Sequence, residues 1–250
     1  AYDSLQVELT RRLSGGLRLQ ASYVFAKGLS DFTGSTGDTN SFLTLLDTHR
    51  EYAQYTNTHQ ILGNAIYLLP FGKSRKYLSD AKGITDVLVG GWQVSGIVKF
   101  NSGDPLSLLS GRGTINRDGL SGSNTVDVLG GLTTAQIQAL TGIQYKSNGV
   151  VFIDPNLAPG STSDASKVTF LNPKAGTVGA LGLSSVFGPN YFNLDFSALK
   201  KTRITETMNL EFRAEVFNAF NTVNFDNPDT NINSTGFGRI TSIVGKPRLI

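Results

Sequence analysis

Few side chains in this 250-residue chain could do chemistry, and their spacing decides what that chemistry could be. Histidine occurs twice, at His49 and His59, in different predicted elements. An imidazole can act as a general base or a metal ligand. No His-Glu-x-x-His or comparable ligand spacing surrounds either one, so both read as loop or strand-edge residues. Asp229-Thr230-Asn231-Ile232-Asn233 opens like a calcium loop. Its sixth position is Ser234 where the turn needs glycine, and its twelfth is Ile240 where a bidentate glutamate is needed. An EF-hand is excluded, and coordination by Asp226 or Asp229 in a plain loop stays open. Gly111-Arg112-Gly113 has Asn116 at the third glycine position of a dinucleotide fingerprint, and no βαβ unit surrounds it. Gly176, Gly179 and Gly182 read as loop flexibility rather than a phosphate cradle. The chain has no cysteine, which removes thiolate metal sites, disulfides and cysteine nucleophiles. No G-x-S-x-G or Walker sequence occurs.

Asp195, Glu211, Arg213 and Glu215 remain. Three carboxylates beside a guanidinium could form an acid–base cluster, because same-face residues on adjacent strands meet. The elements that carry them give a different reading. Phe192, Leu194, Phe196 and Ala198 alternate with Asn193, Asp195 and Ser197. After a turn around Thr202 to Thr205, Met208, Leu210, Phe212, Ala214 and Val216 alternate with Asn209, Glu211, Arg213 and Glu215. Period-two alternation of this kind is the signature of a strand with one apolar and one polar face. The charged row then reads as a wall and the apolar row as the opposite surface.

The same alternation recurs upstream. Leu5, Val7 and Leu9 precede Ser14-Gly15-Gly16, and Leu17, Leu19, Ala21, Tyr23 and Phe25 follow it, which makes a hairpin of strands of roughly ten residues. A third strand over about 55–68 is less regular, because Leu62, Ile66 and Leu68 interrupt its polar face. A fourth carries Trp92, Val94, Gly96, Val98 and Phe100 on one side. Between strands lie 28–54, 70–91, 103–189 and 218–247, rich in Gly, Asn, Ser and Thr. Within 103–189, Thr133 is the expected N-cap of a short helix, and a connection of this length points to a binding loop or lid. Arg248-Leu249-Ile250 could begin one further strand.

Composition agrees with an all-β chain facing lipid. Only 16% of residues are charged, while glycine numbers 28, phenylalanine 15 and tyrosine 8. The net charge of +3 is spread without runs, which argues against nucleic acid as a partner. No stretch approaches the ~20 apolar residues of a membrane helix. Connections alternate short and long, as in outer-membrane barrels with brief periplasmic turns and long extracellular loops, although 70–91 is long for a turn. The expected fold is an all-β, antiparallel up-and-down transmembrane β-barrel. About six or seven strands are present, and bacterial barrels start at 8, so a fragment of a larger barrel is expected. Asn193, Asp195, Glu211, Arg213 and Glu215 are the expected lumen-facing wall. Phe192, Leu194, Phe196, Leu210, Phe212, Trp92, Val94 and Val98 are the expected lipid-facing set. Tyr23, Tyr67, Trp92 and Phe100 suit an aromatic girdle better than sugar-stacking platforms. No catalytic residue, cofactor or metal site is expected.

Several stretches resemble the C-terminal barrel of TonB-dependent transporters, especially the Oar-like subgroup. They are Tyr2–Gln6 with Leu13–Leu17 and Ala21–Lys27; Tyr67–Lys73 with Gly90–Gly96; Asn193–Ser197 with Phe212–Asn221; and Phe237–Thr241 with Pro247-Arg248. The likeness omits about 111–183. Thr58-His59-Gln60 departs from the subgroup's more basic His-Arg pair, and the aromatic-ended final strand is absent. The resemblance implies a barrel of about 22 strands, of which this chain holds the last third. It implies energised import of a bulky ligand across a bacterial outer membrane, with the lipid, a plug domain, the remaining strands and the TonB complex as partners. Two other classes stay open on the residues alone: a secreted or surface-attached β-rich binding or adhesion protein, and a β-sandwich hydrolase, for which no motif speaks.

Overall fold

In a computed structural model, residues 1–30, 53–112, 124–162, 164–177, 179–205 and 207–250 are described; His49, Gly113 and Asn116 lie outside them. Six long strands follow one another in sequence and in space: β1 (Tyr2–Ser14), β2 (Leu17–Ser30), β3 (His59–Leu68), β4 (Trp92–Asn101), β5 (Tyr191–Arg203) and β6 (Asn209–Val216). Every neighbouring pair is antiparallel. The order is a plain meander. The β1–β2 hairpin turns at Gly15 and Gly16, whose φ of 59° and 84° are the two positive values a type I′ turn requires. β5 has 13 residues, roughly 40 Å at about 3.3 Å each, enough to cross a bilayer core of about 30 Å when tilted.

The third strand starts later than the sequence suggests. β3 begins at His59, while Ala53–Gln54 pair with the end of β2. Tyr55 N–H bonds Gly28 O at 3.0 Å and Ala26 N–H bonds Thr58 O at 3.0 Å, so the intervening residues leave the regular ladder. The fifth strand runs on to Arg203, through the expected turn, and the hairpin closes at Ile204–Met208. Beyond β6, Phe217 and Leu249 exchange both backbone hydrogen bonds, at 2.9 and 3.2 Å. Within Arg248-Leu249-Ile250, where one further strand could begin, the described residues form this single isolated bridge. β1 is exposed along its whole length, and the sheet is not closed.

Directly paired residues share a face of a sheet, so the register fixes both surfaces. Phe192, Leu194, Phe196 and Ala198 sit opposite Phe100, Val98, Gly96 and Val94. These continue onto Ile61, Gly63, Ala65 and Tyr67 of β3, then onto Tyr23, Ala21, Leu19 and Leu17 of β2, and finally onto Val7 and Leu9 of β1. On the other side, Ala198, Lys200 and Thr202 oppose Ala214, Phe212 and Leu210 of β6. One apolar face thus runs across all six strands. Among the described residues no second layer covers it, and only its two ends meet other segments: Leu5, Val7, Leu9, Phe25, Ile61, Phe196, Leu210 and Phe212 are all exposed.

The buried core lies elsewhere. Apart from Ala26 and Leu199, the buried apolar residues belong to a cap at the end of the sheet where the long connections meet. Leu108, Val126, Ile137, Phe152, Ile153, Phe170, Val186, Ile232 and Phe237 form one cluster, with Phe170 and Phe237 edge-to-face at 5.9 Å. The described parts of 103–189, expected as irregular, are folded, and so is 218–247. Strand Gly149–Ile153 pairs with Thr141–Lys146 on one side and Arg239–Ile240 on the other. The reason is that the two connections bury each other: Ile232, Phe237 and Ile240 from the second complete the core of the first. The expected helix forms over Thr134–Ala139, and Thr133 with Gln136 makes a reciprocal capping box. Gly179 is not a flexible joint, since a Cβ there would collide with the carbonyl of Thr125. It permits a close backbone approach.

Because the cap carries its own core, it should lose stability independently of the sheet. Phe237→Ala should cost the cap about 3–5 kcal/mol. Limited proteolysis should then cut within 124–187 and 224–244 while the strands stay protected. Simultaneous loss of both regions would show that the cap is not a separate unit.

Candidate functional site

The polar face of β4, β5 and β6 is the richest chemistry in the described residues. Asn193, Asp195, Ser197 and Lys201 project from β5 to the same side as Lys99, Ser95 and Gln93 of β4, and Glu211, Arg213 and Glu215 of β6. The five residues expected in the polar wall do share one surface. Arg213 donates to Glu211 Oε1 at 2.9 Å and lies 3.8 Å from Glu215 Oε1, while Lys201 reaches Glu211 Oε2 at 3.5 Å. All of these side chains are substantially exposed. Pairs of this kind contribute little stability, about 0–1 kcal/mol each. Their effect is to hold the charged groups in place along the wall.

Asp195 does different work. Its Oδ1 accepts Asn193 Nδ2 at 2.9 Å and the backbone N–H of Asn218 at 2.9 Å, so it fixes the point where β6 turns into the cap. Asn218, at φ 49°, passes the load on, its Nδ2 donating to Thr222 O and Lys246 O. Asp195, Ser95, Ser197, Arg213 and Glu215 line an open recess of about 320 Å³. Arg213 holds the Glu211 and Glu215 carboxylates as an exposed charged row in open solvent, with Ser95 and Ser197 in the recess beside them. Sequence reasoning missed Lys201 and Asn218. The signal for Lys201 was its period-two continuation from Asp195.

The remaining candidates are separated. His59 lies at the start of β3 on the apolar face; its Nδ1 is 2.8 Å from Tyr23 Oη, and its ring sits against Tyr23 and Phe25. Asp229 Oδ1 accepts Asn231 N–H at 2.9 Å, and Gly111 N–H bonds Asn231 and Asn233 side chains at 3.1 and 2.9 Å. Both stretches are cap-forming turns. Among the described residues, no three His, Asp or Glu side chains come together as a metal-ligand set.

The apolar face also has structure along its height. Tyr23, Phe25, Phe100 and Phe192 lie toward the cap, with Phe192 stacked on Phe220 at 6.2 Å. Tyr67, Trp92 and Phe212 lie toward the opposite end. Aliphatic and small residues, with Phe196 among them, fill the space between. Two aromatic rows bounding an apolar band are the profile of a strand surface crossing a membrane.

Above the sheet, Asp104 joins three connections. Its carboxylate accepts Asn57 Nδ2 at 2.7 Å and Asn227 Nδ2 at 2.8 Å. Ser184 Oγ donates to Gln54 O at 2.8 Å. Nearby, Asp226 accepts Asn227 N–H at 2.8 Å and Ser242 Oγ at 2.8 Å, and these bonds hold its carboxyl below the usual value. A depressed carboxylate adds stability above its unfolded pKa that is lost as pH falls through the folded one. The tie between 226 and 242 should therefore weaken below about pH 4. Amide exchange at Asp226, Asn227 and Ser242 should rise there relative to intrinsic rates, and Asp226→Asn should remove that acid-dependent component. An unchanged acid dependence in the variant would assign the effect to another group.

Compared with known proteins, the chain matches the family described as "Outer membrane beta barrel domain" over residues 1–250. No curated protein and no solved structure matches it. The family and the meander agree on one architecture, and the apolar face left bare by the fold has its explanation in that setting. The chain belongs to the outer membrane beta barrel domain family, and its strands are part of a barrel in the bacterial outer membrane.

Proposed function

We propose that this chain is the C-terminal barrel portion of a TonB-dependent receptor of the Oar-like kind, importing a bulky ligand with energy from the inner membrane and performing no catalytic step itself. The lipid-facing set is Phe192, Leu194, Phe196, Leu210, Phe212, Trp92, Val94 and Val98. The lumen wall is Asn193, Asp195, Glu211, Arg213 and Glu215. The observation that carries the reading is the mixed character of the polar face. Leu62 and Ile97 stand on it, diagonal neighbours beside Lys99 and Asp195, and are 53% and 51% exposed. A water-filled channel gains nothing from such side chains, and larger transporter barrels hold a plugged lumen. A plug domain seated there would cover Leu62 and Ile97 and hydrogen-bond the Glu211–Arg213–Glu215 row. The cap, with its own core, is a surface on which an extracellular ligand could be held before import.

Two measurements test this. The intact protein, folded in outer-membrane vesicles, should bind the purified periplasmic domain of TonB. Failure to bind, with extracellular binding by the cap retained, would favour the surface-binding or adhesion reading. The face assignment is tested by the same charge on either side of β4. Val98→Arg, near the middle of the apolar band, should cost about 2–4 kcal/mol in denaturant unfolding from vesicles, while Ser95→Arg on the lumen side should cost far less. Equal costs would sink the assignment of lipid and lumen faces.

A further inference from the structure

The connection between β3 and β4 is the long member of the short-loop end, and it folds against the apolar face. It contains a one-and-a-half-turn helix, α1 (Ile84–Val89). Trp92, on the apolar face at that end, donates its indole N–H to Leu88 O at 2.9 Å. Lys200, opposite Trp92 on the same face, donates to Gly90 O and holds its ammonium 5.6 Å from the centre of the Trp92 ring. These two contacts anchor α1 at the lipid-side rim. Ile84, Val87 and Leu88, spaced i, i+3 and i+4, form one edge of the helix and are 79%, 46% and 65% exposed. They extend the apolar band at its periplasmic border.

Beside this edge, at the end of β5, lies a recess of about 260 Å³ lined by Lys73 and Arg75, by Lys200 of the apolar face, and by Lys201 and Arg203 of the opposite face. Asp86 is the one acid in its lining, and its Oδ1 is already taken by Lys73 N–H at 2.7 Å. Lys201 is paired with Glu211. Lys73, Arg75 and Arg203 have no carboxylate partner among the described residues. Unpaired cations gathered in one concavity call for an anion, and the apolar edge beside them calls for acyl chain. We infer that this rim is a docking site for an anionic glycerophospholipid of the periplasmic leaflet. The phosphate would sit at the strand end among Lys73, Arg75 and Lys200, and the acyl chains would lie against Ile84, Leu88 and Trp92. Basic pockets at a bilayer border and short amphipathic helices lying in its interface each recognise lipid in this way. The site deepens the membrane reading above and rests on its orientation.

Trp92 is the reporter. The intact protein is reconstituted into phosphatidylcholine vesicles holding a fixed minor fraction of brominated phosphatidylglycerol or brominated phosphatidylcholine. Subtracting the emission of a Trp92→Phe variant isolates residue 92. Brominated phosphatidylglycerol should quench Trp92 about twofold or more beyond brominated phosphatidylcholine at the same fraction. The combined Lys73→Gln and Arg75→Gln variant should lose that excess and keep its phosphatidylcholine quenching, which also shows that it is inserted. Arg75→Gln alone, whose side chain holds no other described element in place, should lose part of it. Equal quenching by the two lipids in the unaltered protein, or an excess that survives in the combined variant, would overturn the site. Displacement of the excess by inorganic phosphate at constant ionic strength would overturn it in favour of a soluble anion. Absence of quenching by either lipid would overturn the lipid-facing assignment of Trp92 itself.

Discussion

The interaction on which the rest depends is the antiparallel backbone ladder in its observed register. Across lipid every N–H and C=O must be bonded within the protein, because each orphan costs several kcal/mol. The ladder meets that demand between neighbouring strands, though the outer edge of β1 has no partner strand among the described residues, and the same pairing decides which way each side chain points. A slip of one residue between β4 and β5 would move Phe192, Leu194 and Phe196 to the polar side and Asp195 to the apolar one. Register, face and membrane compatibility are one constraint. They are set at the turns, where Gly15 and Gly16 hold β1 to β2 and Ile204–Met208 hold β5 to β6.

From this follows an inversion of the usual interior and exterior. A soluble sheet needs a second layer over Phe192, Leu194 and Phe196. Here the described chain supplies none, and its buried apolar residues gather in the cap instead. The two parts therefore answer to different forces: burial from water in the cap, hydrogen bonding and lipid contact in the strands. They meet at a few polar joints. Asp195 receives Asn218 N–H, Asp104 gathers Asn57 and Asn227, and Asn224 Oδ1 accepts Phe192 N–H. Each joint lies just beyond a strand end, where the ladder no longer satisfies the backbone.

The strands were legible in the sequence because period two is local: Leu210 to Val216 displays both faces without knowledge of any partner. Thr133 was legible as a helix cap for the same reason. The cap core was not. Gly149-Val150-Val151-Phe152-Ile153 is too short an apolar run to distinguish a buried strand from a helix segment, and Ile232 and Phe237, which complete its core, lie some eighty residues onward. The alternation also hid the length of β5. Lys200 and Lys201 read as charge near a turn, yet the strand continues through them, so Lys201 faces Glu211 and Lys200 faces Trp92. On β3, Leu62 and Ile66 were visible as interruptions of a polar face, and the register places them there. What they oppose is an inference about the lumen that no local pattern contains.

The two ends of the sheet show how one meander can serve two boundaries. At the end with long connections, described residues of 102–190 and of 217–247 share a common core, and aromatic side chains from Tyr23 to Phe220 mark the border beneath them. At the other end two of three connections are tight, which leaves the 69–91 segment as the one long element there. Its folding is governed by the rim itself: Trp92 and Lys200 are strand residues, placed by register, and they reach outward to hold α1. The same ladder that fixes the faces therefore also decides where this connection is held, at the strand ends beside Trp92 and Lys200.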